Sequence, residues 1–532
     1  MPLKFVFGPS GSGKSTYLYQ HVIEESEKYP LKNFIVLVPE QFTMQTQKDL
    51  VSMHPRHGIM NIDVLSFARL AYRVFEETGT KQMQVLDDEG KNLILRKIAG
   101  DYENKLTVLK GNIKKLGYIS EVKSVISEFT QYDIGEEEMD EMLDHLDEDS
   151  RLYYKLKDIR LLYEGFQDYL RERYITKEEL LDVLNSQVKE SELLKNSVVV
   201  LDGFTGFTPV QNRLILELMR CCKEVWVTVT MDERENPYAY KHPYQLFGLS
   251  KQMVTTLVRM AGEDHIEVEE PVCLYGYPVK RFEKNQELAF LERNIFRYGA
   301  GRYDKAVENL EIHAAGNPRQ EADAVAEGIR RLVRKEQYRY RDIGVIVSDM
   351  NVYGDYLEQA FENYGIPVFM DHKRSILLNS FVEYIRSLLN MAEKNFSYES
   401  VFRFLRTNLA GFACEEVDEL ENYVLGLGIR GYKGWQNRWI RRLKGMEEEE
   451  LDRLNHYRVQ LVEKVDNLMF VLKQKRKTVR DITMAVYEFM VKENIQERLQ
   501  RTEEEFQKAG ELALAKEYSQ VYRIIIELFD NL

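Results

Sequence analysis

At 532 residues, with 44% hydrophobic and 30% charged side chains, the chain is too long for a single core and too apolar for disorder; about three or four units are expected. A formal net charge of −14 excludes a protein that coats a polyanion with its whole surface, so any nucleic-acid site has to be a local groove. Cys221, Cys222, Cys273 and Cys414 show no C-x-x-C pair or zinc spacing, no secretory leader is evident, and no apolar run approaches the ~18 residues of a membrane span; a cytoplasmic location with reduced thiols is expected.

The first predicted element is a short apolar strand at 4–7, which runs into GPSGSGKST. Gly8, Pro9, Ser10, Gly11, Ser12, Gly13, Lys14 and Ser15 fit G-x-x-x-x-G-K-[ST], and Thr16 opens the helical pattern that follows. Such a turn offers backbone N–H groups and a helix N-terminus to phosphate oxygens, with Lys14 bridging the β and γ phosphates and Ser15 binding Mg²⁺. Residues 8–16 are therefore the expected ATP site.

Further strands are predicted at 34–38, 63–67, 197–201 and 225–230, alternating with amphipathic helical segments, which reads as a parallel sheet wrapped by helices. Between 86 and 189 the strand signal gives way to helical periodicity, so a first α/β domain over 1–85 and 190–305 is expected to carry a helical insertion. A second series follows a mixed stretch: NLEIHAA at 309–315, a helix, DIGVIVS at 342–348, a helix, and IPVFM at 366–370. This predicts a second domain of the same class over 306–395. From 396 to 532 the pattern is helical and still running at its end, a second insertion expected to be truncated.

A P-loop that hydrolyses its nucleotide needs an acidic strand end for the metal and a carboxylate to orient the attacking water. In SVVVLDGFTGFTPVQ the strand ends at Asp202, which can hold Mg²⁺ through water, and the next residue is Gly203. Loss of a positioned general base costs ~10²–10⁴ in rate, so slow or absent hydrolysis is predicted.

The order GPSGSGKST, VLSFARLAYRVF, LDGFTGFTPVQ and then IGVIVSDMNVYGDYLEQAFENYGIPV resembles the UvrD/Rep-like superfamily 1 helicases. More closely it resembles the B-subunit family of the bacterial AddAB-type helicase–nucleases, over essentially the whole chain, and VPEQFT after the second strand strengthens the likeness. The resemblance implies an α/β fold of two RecA-like P-loop parallel-sheet domains, the second incomplete, each with a large helical insertion. It also implies ATP and Mg²⁺ as cofactors, single- and double-stranded DNA ends as ligands, a larger motor–nuclease A subunit as partner in a heterodimer, and a role in processing double-strand breaks for recombinational repair. No membrane partner is expected.

Active helicases of this kind carry an Asp-Glu pair and a following Gln-Asp; here these places are Asp202-Gly203 and Thr205-Gly206, although Thr208-Pro209-Val210-Gln211 survives. The arginine that reaches the γ-phosphate in active relatives, worth ~10³–10⁵ in rate, is replaced by Ser348. These departures point to a nucleotide-binding pseudo-helicase without catalytic residues of its own. The family's iron–sulfur nuclease domain is not expected in this chain, because the four cysteines do not match its spacing.

Two segments are candidate DNA contacts. LSFARLAYR matches the helicase segment that touches single-stranded DNA, through Ser66, Phe67 and Arg69, with Phe67 as ordinary core the competing reading. RGYKGWQNRWIRRLKG, residues 430–445, interleaves Tyr432, Trp435 and Trp439 with Arg430, Lys433 and Arg438, a pattern suited to base stacking and phosphate tracking. An amphipathic helix with core tryptophans and a solvated basic face answered by the following glutamates is the competing reading, and the one the segment favours. A free-standing P-loop ATPase or nucleotide kinase, and a scaffold with an unused cradle, are the alternatives for the chain as a whole.

Overall fold

Continuous apolar runs such as SVVVL suit strands buried on both faces, and that is how they are used. The computed structural model describes residues 2–79, 84–113, 115–171, 174–299, 301–370 and 375–531. The chain divides into two compact units, Met1–Ile312 and His313–Leu532.

In the first unit β1 (Leu3–Gly8), α1 (Lys14–Lys28), β2 (Asn33–Leu37), α2 (Thr43–Met53), β3 (Ile62–Leu65) and α3 (Phe67–Thr78) open the chain. A two-stranded parallel ladder of β4 (Gln84–Leu86) and β5 (Tyr174–Thr176) brackets four helices, α4 (Asp88–Asp101), α5 (Leu116–Gln131), α6 (Glu136–Asp144) and α7 (Arg151–Leu170). Leu95, Leu109, Leu162 and Phe166 give that helical group a core of its own. Then come α8 (Leu180–Gln187), α9 (Glu192–Lys195), β6 (Ser197–Leu201), α10 (Pro209–Cys221), β7 (Glu224–Thr230), α11 (Gly248–Glu263), β8 (Val272–Cys273) and α12 (Gln286–Asn294).

Six of these strands form one parallel sheet in the order β3-β2-β6-β7-β1-β8. Successive side chains alternate between its faces. Phe5, Phe7, Ile35, Leu37, Val199 and Leu201 pack on α3, α8, α10 and α11, while Val6, Phe34, Val36, Val198 and Val200 pack on α1 and α2. All the strands point the same way, so the turns that leave β1, β2, β3 and β6 gather at one edge. In open α/β sheets that carboxyl edge is where ligands bind.

The second unit contains α13 (Pro318–Lys335), α14 (Met350–Asn363), α15 (Ser380–Glu393), α16 (Tyr398–Leu405), α17 (Cys414–Leu427), α18 (Tyr432–Gln436), α19 (Glu448–Leu472), α20 (Val479–Lys492), α21 (Ile495–Ala509) and α22 (Leu512–Asn531). The segments expected as strands at 309–315, 342–348 and 366–370 carry no strand among the described residues, which corrects the expectation of a second sheet formed within the chain. Extended backbone becomes a strand only where a neighbour completes its hydrogen-bond ladder, and none of these three segments has one. Ala322, Ala326 and Ile329 of α13 pack on Leu357, Ala360 and Phe361 of α14. Beside them lies an apolar cavity of about 850 Å³, lined by residues 343–347 and 366–370 as well as by both helices. No helix of the described residues is long and apolar enough to cross a membrane.

Candidate nucleotide site

The chain leaves β1 at Gly8 and turns through residues 9–13 into α1. Gly11 (φ +81°) and Gly13 (φ +93°) occupy the left-handed region that glycine enters without strain, and Gly13 caps α1 with no side chain over its N–H groups. The first turn of α1 is thus left open to an anion. Lys14 Nζ donates to the carbonyls of Gly8 and Pro9, each at 2.9 Å, which folds the ammonium back along the loop. Burial lowers the Lys14 pKa to about 8; Asp202 opposes that shift and the Arg281 charge adds to it.

Asp202 follows β6 and is almost fully buried. Its Oδ1 accepts from Ser15 Oγ at 3.2 Å and from Thr228 Oγ1 at 2.6 Å, and its Oδ2 accepts from Tyr19 OH at 2.7 Å. Ser15 and Tyr19 are four residues apart and so share one face of α1. Burial, reinforced by the Asp202 charge and opposed by the hydrogen bond to Thr46, drives the Tyr19 phenol far above its ordinary range, so it stays a donor. The Ser15 hydroxyl and the Asp202 carboxylate therefore face each other as hard oxygen donors, which suits Mg²⁺ beside a bound triphosphate. Bound there, Mg²⁺ would supply charge neutralisation between the β and γ phosphates.

A cavity of about 470 Å³ opens over this loop, lined by Gly13, Lys14, Ser15, Asp202, Lys280 and Arg281 among others, and Asp202 is the only carboxylate among the described residues that line it. Gly203, the residue after Asp202, stands at φ +80° and brings no side chain to the cavity. The surviving Thr208-Pro209-Val210-Gln211 has a local use. Thr208 Oγ1 accepts from the Gln211 N–H at 3.3 Å and Gln211 Oε1 from the Thr208 N–H at 3.0 Å, a capping box at the start of α10 with Pro209 at its first position. Ser348 is exposed in a bend before α14 and carries no charge.

The candidate DNA contacts separate into core and surface. Ser66 is buried and caps α3 by accepting from the Arg69 N–H. Phe67 packs against Phe204 and Phe207, with ring centroids 5.4 and 6.4 Å away, so its ring is core and not a free stacking platform. Arg69 is exposed, and the solvent-facing rings of Tyr72 and Phe42 lie on α3 and in the turn after β2. Neither ring stood out in the sequence.

In 430–445 the tryptophans are structural, which corrects the base-stacking expectation for Tyr432, Trp435 and Trp439. Trp435 is 1% and Trp439 6% exposed. Trp439 Nε1 donates to the Gly434 carbonyl at 2.9 Å, and Asn455 pairs with both the N–H and the C=O of Trp439. The buried Arg458 guanidinium donates to the carbonyls of Trp435 and Gln436, and Tyr432 OH donates to Asp466. Arg430, Lys433, Arg438, Arg441, Arg442 and Lys444 stay solvent-facing over this aromatic bed, with Arg438 paired to Asp452 at 3.2 Å. The segment is a short helix, α18, followed by loop, where the competing sequence reading expected a continuous amphipathic helix.

Sequence reasoning missed Tyr19, Thr228, Lys280 and Arg281. Tyr19 was accessible through its spacing from Ser15. The other three reach the site only through the order of the strands.

A parallel sheet whose edge joins a glycine-rich G-x-x-x-x-G-K-S turn to a strand-end aspartate defines a P-loop α/β protein. Residues 5–292 match the family described as "ADDB, N-terminal", and the chain belongs to that family. It is 42% identical over 542 residues to the B subunit of the ATP-dependent helicase/deoxyribonuclease of Lachnoclostridium phytofermentans, with 100% of this chain and 47% of the relative covered. The B subunits of the same name from Caldanaerobacter subterraneus subsp. tengcongensis and Clostridium acetobutylicum are 34% and 32% identical, each with 100% of this chain and 46% of the relative covered. The chain spans about half the length of the curated relatives it matches.

Proposed function

We propose that this chain is the ATP-holding, DNA-handling part of a helicase–nuclease B subunit, which works in the cytoplasm with a larger motor subunit on DNA ends at double-strand breaks. In this reading residues 1–85 and 190–305 are a RecA-like domain, and 306–395 supply part of a second one. Residues 86–189 and 396–532 are then helical insertions. The strand order supports the first assignment, because β7 separates the P-loop strand β1 from the Asp202 strand β6 within a wholly parallel sheet.

The observation that carries the nucleotide reading is the facing of Ser15 and Asp202 in a cavity that has no second carboxylate among its described lining residues. Such a site has what is needed to bind Mg²⁺ and triphosphate, with no second carboxylate among the described lining residues to activate water. ATP then acts as a held ligand, and motor turnover belongs to the partner protein. Arg69 and the solvent-facing basic residues between Arg430 and Lys444 are the phosphate contacts of this proposal.

Equilibrium binding of a fluorescent ATP analogue with Mg²⁺ tests the reading directly. Lys14→Ala is expected to weaken binding at least tenfold, with DNA-stimulated phosphate release near background in the parent protein. Turnover matching an active helicase in the purified chain would overturn the assignment of a held nucleotide, and failure to co-purify with a motor subunit would overturn the partnership.

A further inference from the structure

The loop that follows the edge strand β8 turns back across the mouth of the P-loop and ends in a 3₁₀ turn, Lys280–Phe282. Its attachment is specific. The Arg281 N–H donates to the Gly11 carbonyl at 3.0 Å. A Cβ placed on Gly11 would lie 2.8 Å from the Arg281 Cβ, and one on Gly13 would lie 3.4 Å from the Lys280 Cδ. Both basic side chains therefore run over the backbone of the phosphate loop, and the glycines there make room for them as well as for a ligand.

Neither side chain has an ion-pair partner among the described residues, and both are exposed. Other arginines of this unit differ, two of which, Arg234 and Arg293, share a small pocket with Pro9 and Val279. Arg234 pairs with Asp232, Arg293 with Glu233, and Arg297 with Asp232 and Glu235. In an acidic protein, where nearby arginines are matched to carboxylates, two unmatched cations at the mouth of an anion cradle mark a binding surface. Together with Lys14 they set three cations against Asp202, the one carboxylate among the described residues that line the cavity.

We propose that Lys280 and Arg281 form a cationic clamp, supplied by the same domain as the P-loop, that grips the phosphate chain of a bound nucleoside triphosphate and makes the site prefer triphosphate over diphosphate. The clamp rests on the reading of residues 8–16 as a nucleotide site. It ties retention of the nucleotide to a loop already fastened to the cradle.

The test uses the full chain and the fluorescent analogues mant-ATP and mant-ADP with Mg²⁺, titrated against the parent, Lys14→Ala, the double variant Lys280→Gln/Arg281→Gln and Arg281→Lys. Charge-assisted contacts of this kind are strong, so the double variant is expected to weaken mant-ATP about tenfold or more, weaken mant-ADP clearly less, and flatten the salt dependence of binding. Arg281→Lys keeps the charge and is expected to recover most of the affinity. Both side chains are exposed, and an unchanged melting temperature is expected to show that the double variant is folded. Parent-like mant-ATP affinity in the double variant, while Lys14→Ala has lost it, overturns the clamp and leaves the nucleotide site standing. Equal weakening of ATP and ADP overturns the triphosphate preference and with it the clamp as proposed. If the parent binds neither analogue, the nucleotide reading itself fails.

Discussion

Gly203 makes the proposed lack of hydrolysis testable through its backbone. At φ +80° its backbone sits where an L-residue costs about 1–2 kcal/mol, and a Cβ there would come 3.7 Å from the Pro39 Cδ. Gly203→Glu is therefore expected to lower stability by about 1–2 kcal/mol in denaturant melts, with no rise in phosphate release above the parent. Asp232 gives a prediction in pH. Burial alone would raise its carboxyl, but the Arg234 hydrogen bonds and the Arg297 charge overrule burial and hold it at about 2, below its ordinary 3.8. A carboxyl depressed by folding contributes stability that is complete above its unfolded pKa and is lost as pH falls through its folded one, here between about 4 and about 2. After solvent screening that contribution is on the order of 1 kcal/mol, and Asp232→Asn is expected to remove it, so the acid limb of the variant's stability–pH curve is shallower than the parent's.

Among the elements, α7 and the loop before α5 are held together by one carboxylate. Asp158 is buried in mid-helix and accepts from the N–H groups of Thr107, Val108 and Leu109 and from the Thr107 hydroxyl. Asp158→Ala leaves those buried donors unpaired, at about 1–3 kcal/mol for such a loss. Limited proteolysis is expected to cut the variant first near residues 103–115, with the P-loop unaffected. The aromatic bed under α18 separates structure from surface in the same manner. Trp435→Ala is expected to cost about 3–5 kcal/mol, whereas Lys433→Ala with Arg438→Ala leaves the melt unchanged and weakens DNA binding in a salt-dependent way. The first sheet was legible because each of its long strands is a buried apolar run bounded by turns. The strand-like runs of the second unit were misleading, since periodicity reports a segment's capacity to pair and not whether a partner strand is present. Within the site, Lys14, Ser15 and Asp202 were legible through local motifs. Lys280 and Arg281 were not, because only the placement of β8 beside β1 brings that loop to the cradle.

At the scale of the molecule, the two units carry separate cores. The first is a covered sheet with the nucleotide cavity; the second is helical and bears an apolar cavity of about 850 Å³ together with nearly fully exposed Ile346, Phe369 and Leu378. Exposed apolar surface of this kind lacks the burial that stabilises a domain, so the second unit is expected to melt first, and calorimetry should resolve two transitions. Tryptophan fluorescence assigns them, because Trp435 and Trp439 report the second unit and Trp226 the first. A ligand that binds only the folded first unit stabilises it by RT ln(1 + [L]/Kd), about 2.7 kcal/mol at a hundredfold excess over Kd. Saturating Mg²⁺ with a non-hydrolysable ATP analogue is therefore expected to raise the later transition by several degrees, leave the earlier one in place, and do neither in Lys14→Ala. A shift of both transitions together would show that nucleotide in the first unit stabilises the second, and that the held ATP is a coupling element between the two.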